Sequence, residues 1–450
     1  MSAFLDLLEK KILIADGAMG TLLQASGLKA GELPEVWNIT HPEVIIDIHS
    51  RYYESGSDFV STNTFGVNRY KLAELPAEYT LDQVLEAAIK NANVAREKFT
   101  AQGQQKLVAL DVGPLGKLLK PLGDVSFDEA YLAFAEVISK ANKIGGFDLV
   151  LIETMSDTME LKAAVLAAKE NCSLPIIASV AFDEKGQLLT GANLRSIVAL
   201  LEGLRVDAIG MNCGLGPVHM KPLALELAAT ASIPTIVMPN AGLPHVESGK
   251  TVFDIDAAEF AAHVEDMLRA GIRIAGGCCG TTPEHIREVA TRASSITPVP
   301  TSDKALTLVS SYTHAVELKL DDSVIVGERI NPTGKKRFKQ ALRDNDIDYI
   351  LKEGLTQLDN GAHILDVNVG LPEIDEKSML PNVVAQLQAV LNLPLQIDTS
   401  DPVAMERAMR YYNGKPMVNS VNGKQESMHS VFPLIKKYGG VVVGLTLDEN

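Results

Sequence analysis

The stretch FDLVLIETMSDTMELKAAVLAAKENCSLPIIASVAF, residues 147–182, decides the fold. It opens on one apolar run, FDLVLIET (147–154), and closes on another, PIIASVAF (175–182). Continuous Val, Ile and Leu runs of this length suit strands buried on both faces, as in a parallel sheet. Between them, 157–170 reads as a helix that starts on an acidic residue. The unit is strand, crossover helix, strand.

The same unit recurs on both sides. Upstream runs are ILIAD (12–16), DFVSTNTF (58–65) and KLVALDVGP (106–114). Downstream runs are AIGMNCG (208–214), PTIVMPNAG (234–242) and IRIAGGCCG (272–280). Helical patterns fill the gaps. PEVIIDIHSRYYESG (42–56) sets Val44, Ile45, Ile48 and Tyr52 along one side, and 81–99, 128–145, 217–231, 254–270 and 283–293 read similarly. Eight such β-then-α units over roughly 290 residues predict an α/β fold, a (β/α)8 TIM barrel. An open doubly wound sheet is the alternative. Its usual Gly-rich phosphate loop is matched only weakly, by DGAMGT (16–21).

The strand ends carry the polar residues: Asp16, Asn63 and Thr64, Asp111, Glu153 and Thr154, Asn212 and Cys213, Asn240, and last Cys278 and Cys279. Barrel active sites are built at that rim. Strands six and eight are two places apart in a barrel, so NCG (212–214) and GCCG (277–280) can converge on one ion. Successive side chains on a regular strand point to opposite faces. Cys278 and Cys279 can therefore share an ion only where the backbone leaves extended geometry, a freedom expected from Gly276, Gly277 and Gly280. Three thiolates without an obvious fourth strong ligand describe a zinc site with an open position. Adjacent cysteines can also form a strained redox pair or serve as small buried residues. Cys172 is assigned no role; His245 and His285 fall in rim-side loops within reach of the site, where a structural or solvated role is the expectation for each.

Composition narrows the classes. The formal net charge is −16, with 41 Lys and Arg against 57 Asp and Glu, which argues against a nucleic-acid partner. No apolar run approaches the length that crosses a bilayer, so no membrane role is expected. MSAFLDLLEKKILIAD lacks the basic and apolar regions of a signal peptide. Four cysteines are too few for a disulfide scaffold. A reducing cytoplasm is the expected location.

DGAMGT (16–21), ESGSD (54–58), TNTFG (62–66), DVGPLG (111–116), ET (153–154), ELKAAVLAAKE (160–170), NCGLGP (212–217), PNAG (239–242) and GGCCGTTPEHI (276–286) together resemble the homocysteine-binding barrel of cobalamin-dependent methionine synthases. The resemblance covers about residues 10–293. It implies zinc on Cys213, Cys278 and Cys279, with homocysteine sulfur in the fourth place and Asn240 near that place when substrate is absent. It also implies homocysteine contacts at Asp16, Gly17, Ala18, Glu153 and Thr154. The chemistry agrees: the ammonium wants carboxylates, and backbone N–H groups around Gly17–Met19 suit the substrate carboxylate. A free thiol is only a few per cent thiolate at neutral pH, and zinc would remove its proton.

Residues 294–322 read as a linker with a short strand or hairpin, after a first domain of 1–293. A second β/α series fills 323–450, with strands at SVIVGERIN (323–331), HILDVNVG (363–370), PLQIDTS (394–400), PMVNSV (416–421) and GVVVGLTLDEN (440–450). Helices are expected at 346–360 and 401–412. GERINPTG (327–334), LDVNVG (365–370), IDTS and NS resemble the pterin-binding barrel of the same family. That resemblance implies Asp398 and Asn419 on the pterin ring, with Glu328, Asn331, Asp366 and Asn368 at the same rim. Asn331, before Pro332, also suits a helix-capping role. Five strands are fewer than the eight of a closed barrel, so the second barrel reads as C-terminally truncated and the chain as a fragment of a longer enzyme. The family's D-x-H-x-x-G cobalamin motif has no counterpart; Asp47–His49 lacks the later Gly.

The resemblance thus implies methyl transfer to homocysteine giving methionine. Methylcobalamin, bound by a domain or protein outside this chain, would carry the methyl group, and 5-methyltetrahydrofolate would be the ultimate donor. Alone, the chain is expected to handle folate poorly. Two alternatives stand beside this: a homocysteine methyltransferase fed by betaine or S-methylmethionine, and a vicinal-cysteine redox or metal protein.

Overall fold

The computed structural model describes residues 2–29, 31–73, 78–243, 245–247 and 250–447. The chain divides into two compact units, Met1–Leu189 with Val206–Lys304, and Thr190–Arg205 with Ala305–Asn450.

The first unit is built on eight parallel strands: β1 (Leu13–Ile14), β2 (Phe59–Ser61), β3 (Leu107–Val112), β4 (Leu149–Met155), β5 (Ile176–Val180), β6 (Ala208–Asn212), β7 (Thr235–Met238) and β10 (Ile274–Ala275). Their order is β1-β10-β7-β6-β5-β4-β3-β2. This is the expected TIM barrel, closed by ladders everywhere except between β1 and β2. There the seam is bridged by Asp58, whose N–H donates to Ile14 O at 2.6 Å and whose Oδ2 accepts from Ile14 N–H at 2.9 Å. Between β7 and β10, β8 (His245–Glu247) and β9 (Lys250–Val252) form an antiparallel hairpin that the sequence pattern did not announce.

The barrel interior is apolar from the bottom up. Helix Ala3–Lys10 was also unread in the sequence. Its Phe4 and Leu8 pack with Leu13, Phe59, Leu107 and Leu149, the first residues of β1 to β4. Phe4 meets Phe59 edge-on at 6.5 Å between ring centroids. The outer helices begin where capping chemistry allows. Asp157 caps Thr158–Asn171 by accepting from Met159 and Glu160 N–H. Ser126 and Glu129 form a capping box on Phe127–Ile144.

The second unit carries an antiparallel hairpin, β11 (Leu308–Ser310) with β12 (Ala315–Glu317), and a parallel sheet. The sheet runs in chain order: β13 (Val326–Ile330), β14 (Ile364–Val367), β15 (Leu395–Asp398), β16 (Met417–Val421) and β17 (Val441–Gly444). All five expected strands are present; residues 448–450 of the last expected stretch lie outside the described residues. The two units meet in the chain at Lys304 and Ala305, inside the stretch read as a linker, and the hairpin there belongs to the second unit. Helix Leu194–Gly203 also belongs to it, where Arg195 pairs with Glu317 at 2.5 Å. No helix among the described residues is long and apolar enough to cross a membrane.

The seam gives a stability test. Asp58→Ala leaves the buried Ile14 N–H without its carboxylate partner, so unfolding in urea should lose roughly 1–3 kcal/mol. The midpoint should fall with the slope unchanged. Loss below a few tenths would mean that the seam does not depend on this side chain.

Candidate functional site

The carboxyl ends of the first unit's strands surround a cavity of about 350 Å³. Asp16, Gly17, Ala18 and Met19 line it from β1, Glu153 and Thr154 from β4, and Cys213, Cys278 and Cys279 from β6 and β10. The sequence had placed these nine residues and Asn240 at one site; the nine line this cavity, and Asn240 is not among its lining residues.

The three sulfur atoms lie within 4.8 Å of one another, Cys213 Sγ and Cys279 Sγ being 3.9 Å apart. All three cysteines are free thiols. Two backbone departures bring them together. Cys213 leaves β6 at φ 56°, in the left-handed region that few non-glycine residues adopt. Beyond β10, Cys278 N–H donates to Pro239 O at 2.8 Å and Thr281 N–H returns to Cys278 O at 3.1 Å, so both adjacent cysteines sit in a turn. The glycines act differently from the sequence expectation. Gly280 does use positive φ, 82°. Gly276 and Gly277 do not; they serve close approach. A Cβ on Gly277 would stand 2.4 Å from Thr281 Oγ1, and one on Gly276 2.7 Å from Asp16 O.

Thiols so close cannot all ionise. Donation from the Cys278 and Cys279 thiols holds the Cys213 thiol far below its ordinary range, with a smaller contribution from the Asn240 amide. Cys278 is pushed well up by donating to Cys213, and Cys279 up to about 11 for the same reason. The cluster therefore favours one ionised sulfur over three, with Cys213 the thiol most disposed to ionise. Asn240 is 4% exposed and its Oδ1 has no hydrogen-bond partner. Three soft sulfur donors with an orphaned amide oxygen beside them fit a zinc ion with a replaceable fourth ligand.

Carboxylates fill the other side. Asp16 accepts from Ser61 N–H at 2.8 Å and Ser61 Oγ at 3.1 Å. Burial still pushes it up to about 7. Glu153 is pushed up to about 8 by burial, then by Asp16 and Cys213. Asp111 and Glu35, also in the wall, are raised first by burial, and each has one oxygen without a partner. The cavity is therefore acidic and under-ionised, a receptacle for a cation. The DGAMGT loop is fixed to the cysteine turn: Ala18 N–H donates to Thr281 Oγ1 at 3.1 Å, and Tyr52 OH donates to Ala18 O at 2.9 Å. The Ala18 N–H is thus already engaged, which leaves Gly17 and Met19 as the better backbone donors for a ligand.

Ser61, Thr281, Tyr52 and Asp111 had no assigned role in the sequence. The hydroxyls of Ser61, Thr281 and Tyr52 act on partners distant in sequence, which their local sequence does not show. His285 is turned away, with Nε2 on Ile255 O at 3.0 Å. The His245 side chain lies outside the described residues.

In the second unit five of the six expected residues join by side-chain hydrogen bonds in two groups. Asn331 Nδ2 donates to Glu328 Oε1 at 3.3 Å and Asp366 Oδ2 at 3.5 Å. Asn368 Nδ2 donates to Asp398 Oδ2 at 2.9 Å. Asn331 Oδ1 also accepts from Thr333 N–H at 2.9 Å, a local turn rather than the helix cap considered above, since the next helix starts at Lys336 behind Lys335. Asn419 lies opposite Asp398 in the β15–β16 register, and the two line a separate cavity of about 400 Å³. Gln396, unassigned in the sequence, donates to Asp366 Oδ1 at 2.5 Å. Burial lifts Asp366 to about 6.

Comparison with known proteins agrees with this geometry. The homocysteine S-methyltransferase family profile matches residues 13–293, and the pterin binding enzyme profile matches residues 327–450. The methionine synthases of Mycobacterium tuberculosis (strain ATCC 25618 / H37Rv) and Mycobacterium leprae (strain TN) are each 32% identical over 99% of this chain. The chain spans 39% of the length of each of these curated relatives. The homocysteine methyltransferase MmuM from Escherichia coli, in its metallated form, superposes with a TM-score of 0.55 at 26% identity, over 64% of this chain and 98% of that one. Its oxidised form gives 0.53 at 27% identity over the same shares. With more than half of its length matched by the profile, and the rim cysteines and acids inside that match, the chain belongs to the homocysteine S-methyltransferase family.

Proposed function

We propose that the first unit methylates homocysteine on sulfur, giving methionine, with a zinc ion held by Cys213, Cys278 and Cys279. The observation that carries this is one cavity lined at once by three converging thiols and by the buried acids Asp16 and Glu153. A zinc ion bound there supplies thiol activation, since it stabilises the homocysteine sulfur as thiolate without a separate general base.

The chain's own groups do the rest. Asp16 and Glu153 receive the substrate ammonium, which favours their ionised forms. Gly17 and Met19 N–H groups face its carboxylate, with Ala18 and Thr154 completing the wall. The Asn240 amide, buried with its oxygen unpartnered, would stand beside the place the substrate sulfur takes. The thiol proton leaves to solvent. The sulfur then forms its bond to the methyl carbon as the donor–methyl bond breaks, and that electron pair stays with the donor. The product is a neutral thioether, which would bind a metal centre held by the three cysteines less strongly than a thiolate does.

Methylcobalamin, carried by a domain or partner outside this chain, is the proposed methyl donor, and 5-methyltetrahydrofolate the ultimate one. The likeness to longer methionine synthases and the pterin-binding profile support this. Asp366, Asn368, Asp398 and Asn419 would then face the pterin, whose ring edge offers N–H donors to carboxylates, with Glu328 and Asn331 beside them. Four free cysteines suit a reducing cytoplasm. A second reading has its own support. The Escherichia coli homocysteine methyltransferase is matched over 98% of its length by 64% of this chain. The first unit would then take methyl from betaine or S-methylmethionine, without the pterin unit. Assays of homocysteine methylation with each donor in turn separate the two.

Metal analysis tests the centre. Freshly purified protein should hold about one zinc per chain, and Cys213→Ala should lose it. Because three sulfurs so close cannot all be ionised before a cation binds, zinc uptake at pH 7 should release protons, read by calorimetry in buffers of different ionisation enthalpy. Zinc retained in Cys213→Ala would overturn the three-cysteine site.

The acids predict a pH profile. Asp16 is neutral below about 7 and ionised above it. An ammonium ligand prefers the ionised form, so binding should tighten as pH rises from 6 to 8. L-2-aminobutyrate, which lacks the thiol, isolates this effect as a competitive inhibitor. Asp16→Asn should weaken its binding about tenfold at pH 8 and remove the part of the rise centred near 7. An unchanged profile would place the ammonium elsewhere.

A further inference from the structure

Asn212 ends β6 one residue before Cys213 and has no exposed surface. Its carboxamide is used at both ends. Oδ1 accepts from Thr154 N–H at 2.8 Å and from Ser179 Oγ at 2.7 Å. Nδ2 donates to Thr154 Oγ1 at 2.6 Å and to Glu153 Oε2 at 3.1 Å, and lies 3.9 Å from Cys278 Sγ. One buried amide thus touches the acid of the cavity, the strained residue beside it and a cysteine of the cluster. Thr154 stands at φ 59°, a conformation that costs a β-branched residue and persists only when its surroundings fix it. The Oδ1 bond to its N–H supplies that fixing.

No other common side chain does both tasks in this space. Aspartate offers acceptors but, ionised, no donor; serine cannot span the partners; glutamine is a methylene longer. A purely apolar replacement would leave a buried carboxylate and a buried N–H unpartnered, the expensive case.

We infer that Asn212 is a positioning residue that sets the Glu153 carboxylate for the substrate ammonium and ties that end of the cavity to the Cys278 sulfur. The inference rests on the homocysteine reading above. It differs from simple strand adhesion in a measurable way. A residue that only holds β4, β5 and β6 together would affect every ligand of the cavity alike. A residue that aims Glu153 affects only ligands that carry the ammonium.

The test uses the full chain with zinc bound and two thiols, homocysteine and 4-mercaptobutanoate, which is homocysteine without its amino group. Calorimetry gives both affinities in wild type, Asn212→Ala and Ser179→Ala. Wild type should favour homocysteine. Asn212→Ala should lose roughly ten- to a hundredfold in homocysteine affinity, keep 4-mercaptobutanoate within about twofold, and retain its zinc. Ser179→Ala cuts only the β5 arm and should keep the wild-type preference. A preference undiminished in Asn212→Ala, or an equal loss for both thiols, overturns the inference. No preference in wild type would instead sink the ammonium subsite, and the role of Asn212 with it. Should Asn212→Ala not fold, Asn212→Asp keeps the acceptor for Thr154 and Ser179, and the same ratio decides: a collapsed preference supports the role and an intact one overturns it.

Discussion

Three sulfur atoms held within 4.8 Å of one another cannot all carry charge without a cation. Two unit charges 4 Å apart repel by about 1 kcal/mol in water and about 4 kcal/mol near a protein surface. Protons settle the conflict when no cation is bound: the Cys213 thiol is pulled down and those of Cys278 and Cys279 are pushed up. The acids across the cavity obey the same constraint. Asp16, Glu153, Asp111 and Glu35 are all raised chiefly by burial, and Lys71 offsets only part of the effect on Asp111 and Glu35. Both halves of the site are loaded with protons that a cation can displace. A divalent ion suits the sulfur half, and an ammonium group suits the carboxylate half.

The backbone holds this unfavourable arrangement because the barrel beneath it is stiff. Strands β3 to β7 are buried through almost their whole length, and Phe4 and Leu8 close the amino-terminal end. Side chains packed at that density transmit strain rather than absorb it. Deviations from extended geometry therefore gather just past the strands, at Thr154 on β4, at Cys213 after β6 and in the turn after β10. Those departures turn alternating side chains toward one point. The sites of strain and the sites of chemistry coincide, as expected where the surrounding structure over-determines a local conformation.

The alternation of apolar runs and amphipathic stretches was sufficient to read the barrel, because a parallel strand buried on both faces leaves an unmistakable run such as LVLIE. The strand ends were legible for the same reason: polar residues that interrupt such runs have no packing role to play. What escaped depended on tertiary partners. Helix Ala3–Lys10 is short, and only its burial of Phe4 and Leu8 in the barrel mouth reveals its purpose. Gly276 and Gly277 looked like flexible residues. Their reason is the Thr281 hydroxyl and the Asp16 carbonyl, each distant in space from anything the local sequence shows. Asn212 was visible as a rim residue. Its reach to two neighbouring strands and a sulfur required coordinates. In the second unit the expected rim residues assembled, but Gln396, which holds Asp366, looked like an ordinary strand residue.

Asp16 links the site to the stability of the barrel. The β1–β2 junction has no ladder, and polar side chains span it at two levels, Asp58 on Ile14 below and Asp16 on Ser61 above. A carboxyl that is also a structural clasp must tolerate a change of charge. Here it can, because Ser61 N–H donates to the carboxyl oxygen in either protonation state, and only the strength of the bond changes. Loss of the proton to solvent as an ammonium binds would strengthen that clasp instead of straining it. On the proposed reading, ligand binding and barrel closure would act in the same direction, and an acid that burial disposes toward its neutral form would become the point where substrate charge reinforces the fold.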